Sequence, residues 1–351
     1  MTERLRVAVV MGGRSSESEI SLESGRNVYN TLDRSRFDVS AYYMDRRGRL
    51  WEIGLPLVVQ NTTRDIEDRL AADAAPVPYE ELPERVDFVY IGLHGKYGED
   101  GCFQGLLELL DLPYTGSGVL GSALGMDKLV QRRVLRDAGI EVPATHPISR
   151  TAWQADPNAV SAAIAASPGF PCVVKPAREG CSTALAVVRV PEALADAVEA
   201  ALEWDNMVLV EELLTGTEVT VAVLGVESPH ACPPTETPPR GEFLTVEEKF
   251  LPGEGVNITP ARLPEETLAA VREIAERAYR ALGLTAFARM DMYVLPDGRI
   301  VLGEPNTLPG SSPSSTIFLG PMEEGLGPVD LLTRVVELSL EAHGRKKGPL
   351  G

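Results

Sequence analysis

The chain has 351 residues, 44% of them hydrophobic, and a formal net charge of −18. That length and apolar content can bury a sizeable core distributed over two or three compact domains. The negative charge excludes general binding to nucleic acid or to an anionic membrane, which needs a basic surface to displace counterions.

No apolar run approaches the roughly 18 to 20 residues that span a bilayer, and the apolar stretch near the start is too short for a signal peptide, so the expected location is cytoplasmic. The cysteines, Cys102, Cys172, Cys181 and Cys232, show neither CxxC pairing nor the spacing of a zinc site. This argues for reduced thiols and against a disulfide framework or a structural metal.

Residues 6 to 11, a β-branched apolar run, lead through Gly12-Gly13-Arg14-Ser15-Ser16 into a helical pattern carried by Ile20, Leu22, Val28 and Leu32. Strands are also expected at 39 to 43 and 86 to 91, and their alternation with helical segments predicts a parallel α/β sheet in an N-terminal domain over 1–117. Between about 50 and 85 the pattern weakens around Pro56, Pro76, Pro78 and Pro83 and reads as surface elaboration. A helix over 119 to 138 ends at Gly139 and opens a central unit, 118–211. That unit contains buried strands at 171 to 175 and 184 to 190 around a glycine-containing loop, a helix from about 191 to 203, and a strand at 207 to 212.

The third unit, 212–346, has a helix at 264 to 282 with apolar Leu268, Val271, Ala275, Ala278 and Leu282, and a closing helix from about 327 to 342; residues 347–351 are a tail. The proline-rich segment from Pro229 to Gly241 reads as a loop without regular pairing.

The clearest chemical constellation lies in residues 287 to 312. On a strand, alternate side chains share a face, so Arg289 and Asp291 project together while Met290 and Met292 point the other way. After the turn at Pro296-Asp297-Gly298, a second strand delivers Glu304 and Asn306, again on one face. Such oxygens from adjacent strands suit magnesium, and Arg289 beside them would face a developing anion. The plainer reading is a half-exposed hairpin with a surface ion pair. Against it stands the loop Pro309-Gly310-Ser311-Ser312, which offers close backbone approach and hydroxyl donors.

Three lysines form a second constellation: Lys128 opens a helix, Lys175 closes a buried strand, and Lys249 follows two glutamates. Singly each reads as a solvated charge, but a lysine ending an apolar strand suits a nucleotide phosphate. Glu211, at a strand terminus, could accept from a ribose hydroxyl, with neighbouring backbone groups pairing an adenine edge.

In order and spacing, GGRSSESEIS (12 to 21), LHGKYGEDGCFQGLLELLDLPYTGSG (93 to 118), GMDK (125 to 128), VVKPAREGCS (173 to 182), EELLTGTE (211 to 218), EEKF (247 to 250), ARMD (288 to 291) and EPNTLPGSSPSS (304 to 315) resemble the D-alanine-D-alanine ligases of the ATP-grasp superfamily over nearly the whole chain. The resemblance implies a three-domain α/β ATP-grasp fold that makes an acyl phosphate from D-alanine and joins it to a second D-alanine with release of ADP and phosphate, for peptidoglycan precursors. It also implies a homodimer acting on small molecules, with ATP and two magnesium ions, manganese being an acceptable substitute.

By the same resemblance, Lys128, Lys175, Lys249, Glu211, Glu212, Leu214 and Glu218 hold ATP, with Phe243 against the adenine. Asp291, Glu304 and Asn306 hold magnesium. Glu19 receives the ammonium of the first D-alanine near His94, Arg289 with the Gly310 backbone forms the oxyanion site, and Ser315 binds the second substrate's carboxylate. The loop at 180 to 183 and the segment from 241 to 256 are the expected lids.

Two positions depart from the family pattern. Where the family has a serine and a tyrosine hydrogen-bonded to the matching glutamate, this chain has Cys181 and Phe250. A thiol is a weak donor and phenylalanine has no hydroxyl, so a different acceptor, such as D-lactate or another amino acid, stands beside the reading of tolerated variation. Cys181 is not needed as a nucleophile, because the reaction already supplies an activated phosphate. A catalytically silent ATP-binding paralogue is the remaining alternative, and the filled magnesium, lysine and arginine positions argue against it.

Overall fold

Three sheets organise the chain in the computed structural model, which describes residues 4–180, 183–238 and 256–346. The first is built from β1 (Leu5–Gly12), β2 (Phe37–Met44), β3 (Leu50–Ile53), β4 (Ala75–Val77) and β5 (Phe88–Ile91), in the order β4-β3-β2-β1-β5. Strand β1 runs parallel to both β2 and β5. Val7 through Met11 are wholly buried, as a parallel strand covered on both faces requires. Helix α1 (Ser18–Thr31) lies directly on β1: a Cβ on Gly25 would stand 2.5 Å from Cβ of Met11.

The stretch from 50 to 85 is more than surface elaboration. Strand β3 pairs antiparallel with β2 and β4 antiparallel with β3, and Leu50, Trp51, Ile53, Leu57, Val58, Ile66 and Leu70 are buried in the core of this sheet. Four-residue and three-residue strands give little periodic signal, and Pro76 is tolerated because β4 is the sheet edge.

The helix expected over 119 to 138 is two helices, α2 (Val119–Met126) and α3 (Lys128–Asp137). Asp127 between them is extended, and its carboxylate accepts the N–H of Val130 at 3.0 Å, an N-cap that starts α3 at Lys128. Leu135, Ile140 and Val142 pack into the core of the third sheet rather than the second.

The second sheet is antiparallel, in the order β6-β9-β7-β8, from β6 (Thr145–Ser149), β7 (Cys172–Pro176), β8 (Ala186–Val188) and β9 (Met207–Glu212). Helix α4 (Leu194–Leu202) covers it, and Val174, Val198, Val208 and Val210 form its core.

The third sheet joins β10 (Thr217–Gly225), β11 (His230–Ala231), β12 (Thr235–Glu236), β13 (Ala286–Val294) and β14 (Ile300–Asn306). The segment after Pro229 is therefore not an unpaired loop: β11 and β12 both pair with β10, although 239 to 241 lie outside the described residues. Helix α5 (Glu265–Ala281) packs Leu268, Val271, Ala275 and Ala278 against Met290 and Met292.

On the opposite face, Leu224, Phe287, Leu308 and Phe318, with Leu332 and Val336 of the closing helix (Pro328–Lys346), share one continuous core with β1 and β5. Each such side chain contributes about 1.5–3 kcal/mol of burial free energy. That shared core fixes the N-terminal loops over the hairpin β13–β14.

Candidate active site

The hairpin sets the geometry. Arg289 pairs with Asn306 and Asp291 with Glu304 across β13 and β14, so all four side chains share one face while Met290 and Met292 are buried on the other, as the alternation predicts. Nε and Nη2 of Arg289 each donate to Asp291 at 2.7 Å, and Nδ2 of Asn306 donates to the same carboxylate at 3.0 Å. Burial opposes the charge on Arg289, but Asp291 and Glu304 outweigh it and hold the guanidinium firmly protonated. This is a largely enclosed network, with Arg289 and Asp291 each 17% exposed at the side chain, and not a surface ion pair.

Lys128 crosses to this face from the start of α3. Its Nζ lies 2.8 Å from Oε1 of Glu304 and donates to the carbonyl of Glu179 at 2.7 Å. Burial alone would raise the Glu304 carboxyl, yet Lys128 and Lys175 bring it down to about 2. Two ionised oxygen donors on adjacent strands with an amide oxygen beside them form a hard donor set, and Asp291, Glu304 and Asn306 fit a magnesium ion on that chemistry.

Lys175, at the end of β7, belongs to a second cluster. Oε2 of Glu211 lies 2.7 Å from its Nζ, and Oε1 of Glu211 accepts from Nε of Arg132 at 3.1 Å. Burial is the main influence pulling the Lys175 ammonium below its ordinary range, and Arg132 and Lys128 add to it against the attraction of Glu211. For Glu211, burial is overcome by Lys175 and Arg132, which hold it to about 2. Its carboxylate is thus turned inward onto two cations and is not presented to a ribose.

Glu218, by contrast, lies on the same sheet face as Asp291, where its Oε2 accepts from Tyr293 at 3.3 Å. Glu212 accepts the N–H of Ala144 at 2.8 Å, and Leu214 is half-buried.

The N-terminal domain closes the other side. Glu19, expected to face the first substrate, is turned away: its carboxylate accepts from the N–H and hydroxyl of Thr63 at 3.0 and 2.6 Å. Glu17 takes the cleft wall instead, so near Gly180 that a Cβ there would fall 2.0 Å from its Oε1. His94 is buried, with Nε2 2.8 Å from Oγ of Ser24 and Nδ1 4.0 Å from Glu99. Burial works against its charge, but the hydrogen bond and charge of Glu99, then the charge of Glu17, raise its pKa above the ordinary value.

The loop carrying Gly310 and Ser315 is tied to α1, since Ser311 donates its N–H to Ser24 at 3.0 Å and accepts from Asn27 at 2.8 Å. Oγ of Ser315 stands 3.0 Å from Oγ of Ser312.

These walls enclose an open cleft lined by Glu17, His94, Glu99, Lys128, Gly180, Arg289, Asp291, Glu304, Asn306 and Gly310. Lys175, Glu211, Glu218, Glu19 and Ser315 do not line it. Cys181, Phe243, Lys249 and Phe250 lie outside the described residues. Sequence reasoning missed Glu17, Ser24, Glu99 and Arg132. Glu17 sat inside a quoted motif, while Arg132 carried no signal beyond a basic residue one turn after Lys128. No helix among the described residues is long and apolar enough to cross a membrane.

Comparison with known proteins agrees with this architecture. Residues 6–117 match the family described as D-ala D-ala ligase N-terminus, and residues 134–337 the one described as D-ala D-ala ligase C-terminus. The chain is 36% identical to D-alanine–D-alanine ligase A of Escherichia coli, over 97% of each chain. It is 33% identical to the D-alanine–D-alanine ligase of Geobacillus thermodenitrificans, over 98% of each.

Among solved structures, the D-alanine-D-alanine ligase of Coxiella burnetii superposes with a TM-score of 0.85 at 29% identity, covering 98% of this chain and 96% of that one. The VanG D-Ala:D-Ser ligase of Enterococcus faecalis does so with 0.83 at 30%, covering 96% and 100%. The ligase of Bacillus anthracis complexed with ATP does so with 0.76 at 28%, covering 98% and 100%. With its ATP-grasp fold, the chain belongs to the D-alanine–D-alanine ligase family of ADP-forming ligases.

Proposed function

We propose that this chain joins two molecules of D-alanine at the expense of ATP, releasing ADP and phosphate and supplying a peptidoglycan precursor. The supporting observation is the meeting, in one cleft, of the Glu17 carboxylate, the His94 imidazole and the paired carboxylates Asp291 and Glu304 with their cations Arg289 and Lys128. Amino acid, polyphosphate and oxyanion each have a complementary surface there.

Glu17, rather than Glu19, faces the ammonium of the first D-alanine, and the His94 imidazole, whose pKa Glu99 and Glu17 raise against burial, stands on the carboxylate side. Lys128 and Lys175 neutralise the phosphates as the D-alanine carboxylate attacks the γ-phosphorus, so that catalysis rests on positioning and electrostatics. Asp291, Glu304 and Asn306 would hold magnesium, which would supply neutralisation of the phosphate charge.

The resulting acyl phosphate is attacked at carbon by the amine of the second D-alanine. Arg289, whose Nη1 is not part of its contact with Asp291, and the Gly310 N–H face the tetrahedral oxyanion. Ser315 and its partner Ser312 stand on the loop that would receive the second carboxylate. The carbon–oxygen bond to phosphate then breaks, the nitrogen loses its extra proton to solvent, and the amide forms. Glu218, on the hairpin face, is the candidate for the ribose, and the family resemblance supports a cytoplasmic homodimer, which light scattering of the purified chain would test.

The deciding experiment is ADP release with mass analysis of products from ATP, magnesium and D-alanine, repeated with D-serine and D-lactate as second substrates. D-alanyl-D-alanine from D-alanine alone supports the reading. Turnover only with another acceptor would refute it.

A further inference from the structure

Among the described residues, the structure gathers a second set of metal-ligating side chains on the far side of β10. His230 and Cys232 flank Ala231 on and beside β11, and Glu324 follows the short helix α6 (Leu319–Glu323), which lies beyond the loop carrying Gly310 and Ser315. One ligand atom from each of the three lies within 4.8 Å of the others, and none of the three residues lines the cleft. Nε2 of His230 stands 2.8 Å from Oε2 of Glu324. His230 is exposed and Cys232 is fully buried beneath it.

We propose that His230, Cys232 and Glu324 form a binding site for a borderline-soft divalent cation of the zinc class, with solvent as the fourth ligand. Nitrogen, sulfur and carboxylate oxygen are the donors such an ion takes. A tetrahedral ion about 2.0–2.3 Å from each donor needs donor separations of roughly 3.3–3.7 Å. Those values fall between the 2.8 Å imidazole–carboxylate contact and the 4.8 Å bound on the set, so assembly asks only for small side-chain movements.

The backbone that presents the donors is fixed. Ala231 pairs with Val223 and donates to Glu276 at 3.2 Å, and Cys232 donates to the Ala222 carbonyl at 2.9 Å. An exposed His–Glu pair alone is worth little. The feature that points to a ligand is the thiol lodged under that pair.

The charge count also suits a dication, since thiolate and carboxylate together supply two negative charges. Burial first, and then the charge and hydrogen bond of Glu324, push the Cys232 thiol well above its ordinary range. The metal-free site therefore carries the proton. Uptake replaces the S–H bond with a sulfur–metal bond and releases that proton to solvent, with no change of oxidation state. A bound ion would fasten α6 to the β11 edge and so stiffen the approach to the Ser315 loop.

Cobalt(II) titration of the full chain, with excess magnesium present to occupy the Asp291–Glu304 site, tests this. The expected result is one equivalent of cobalt giving a near-ultraviolet thiolate-to-metal band, displaced by zinc, retained in Cys102→Ser and abolished in Cys232→Ser. His230→Ala, at an exposed position, should weaken binding at least about tenfold, and apparent affinity should rise about tenfold per pH unit, for one released proton. Cobalt uptake without that band, or a band unchanged in Cys232→Ser or His230→Ala, means an adventitious ion only and overturns the proposal.

Discussion

Oγ of Ser24 lies 2.8 Å from Nε2 of His94 and at the same time accepts the N–H of Ser311 at 3.0 Å, so one buried hydroxyl couples the first-substrate wall to the loop bearing Gly310 and Ser315. Ser24→Ala leaves the Ser311 N–H without its acceptor, a loss of about 1–3 kcal/mol for a buried donor. We expect the KM for the second D-alanine to rise about fivefold or more with a smaller change in KM for ATP. Steady-state kinetics with each substrate varied in turn checks this, and equal effects on both would show general destabilisation instead.

Glu17 and Glu19 should separate cleanly. Glu17 precedes α1 and lines the cleft, whereas Glu19 lies in the first helical turn with its carboxylate held by Thr63. Glu17→Gln is expected to cut kcat/KM for D-alanine by about a hundredfold or more with the melting temperature little changed. Glu19→Gln weakens the contact to Thr63 and should lower the melting temperature while sparing much of the activity. Calorimetry beside kinetics distinguishes the two, and the reverse pattern would restore Glu19 to the site.

That pair shows where the sequence was legible and where it was not. Period-two alternation placed Arg289, Asp291, Glu304 and Asn306 on one face because a strand has only two faces and the turn at Pro296-Asp297-Gly298 fixed the hairpin. A helix start offers no such binary choice, and GGRSSESEIS alone did not reveal which glutamate turns inward. Glu211 sat at a strand end, as expected, but the identity of its partners depended on Arg132 from another element, 79 positions away. The same holds for Glu324 beside His230, which is 94 positions away, and for β3 and β4, whose few residues carry no period of their own.

Arg132 acts through Glu211 on Lys175, as a positioning residue. In Arg132→Met, Glu211 keeps Lys175 but loses a buried partner, at a cost of about 3–5 kcal/mol, and KM for ATP should rise about tenfold. Arg132→Lys should recover part of both losses. The acid limb provides a second readout. The Glu211 pKa is depressed from 4.5 to about 2, so its contribution is present above about pH 4.5 and is lost as pH falls through about 2. That contribution is about 3 kcal/mol, and Arg132→Met should flatten the limb when urea midpoints are followed across this window. An unchanged limb would mean that Arg132 does not hold the carboxylate.

His94 has the opposite sign. Its pKa is raised in the folded chain, where burial is outweighed by Glu99 and Glu17. The stabilisation from its charged form is therefore complete below the ordinary histidine value of about 6.5 and is lost as pH rises through the higher folded value. The imidazolium also faces the cleft, so KM for the first D-alanine should rise over that same interval. Glu99→Gln removes the nearest negative charge and should move both the NMR titration midpoint of His94 and the KM inflection downward together. Movement of the midpoint without the inflection would show that His94 carries its charge for stability and not for substrate binding.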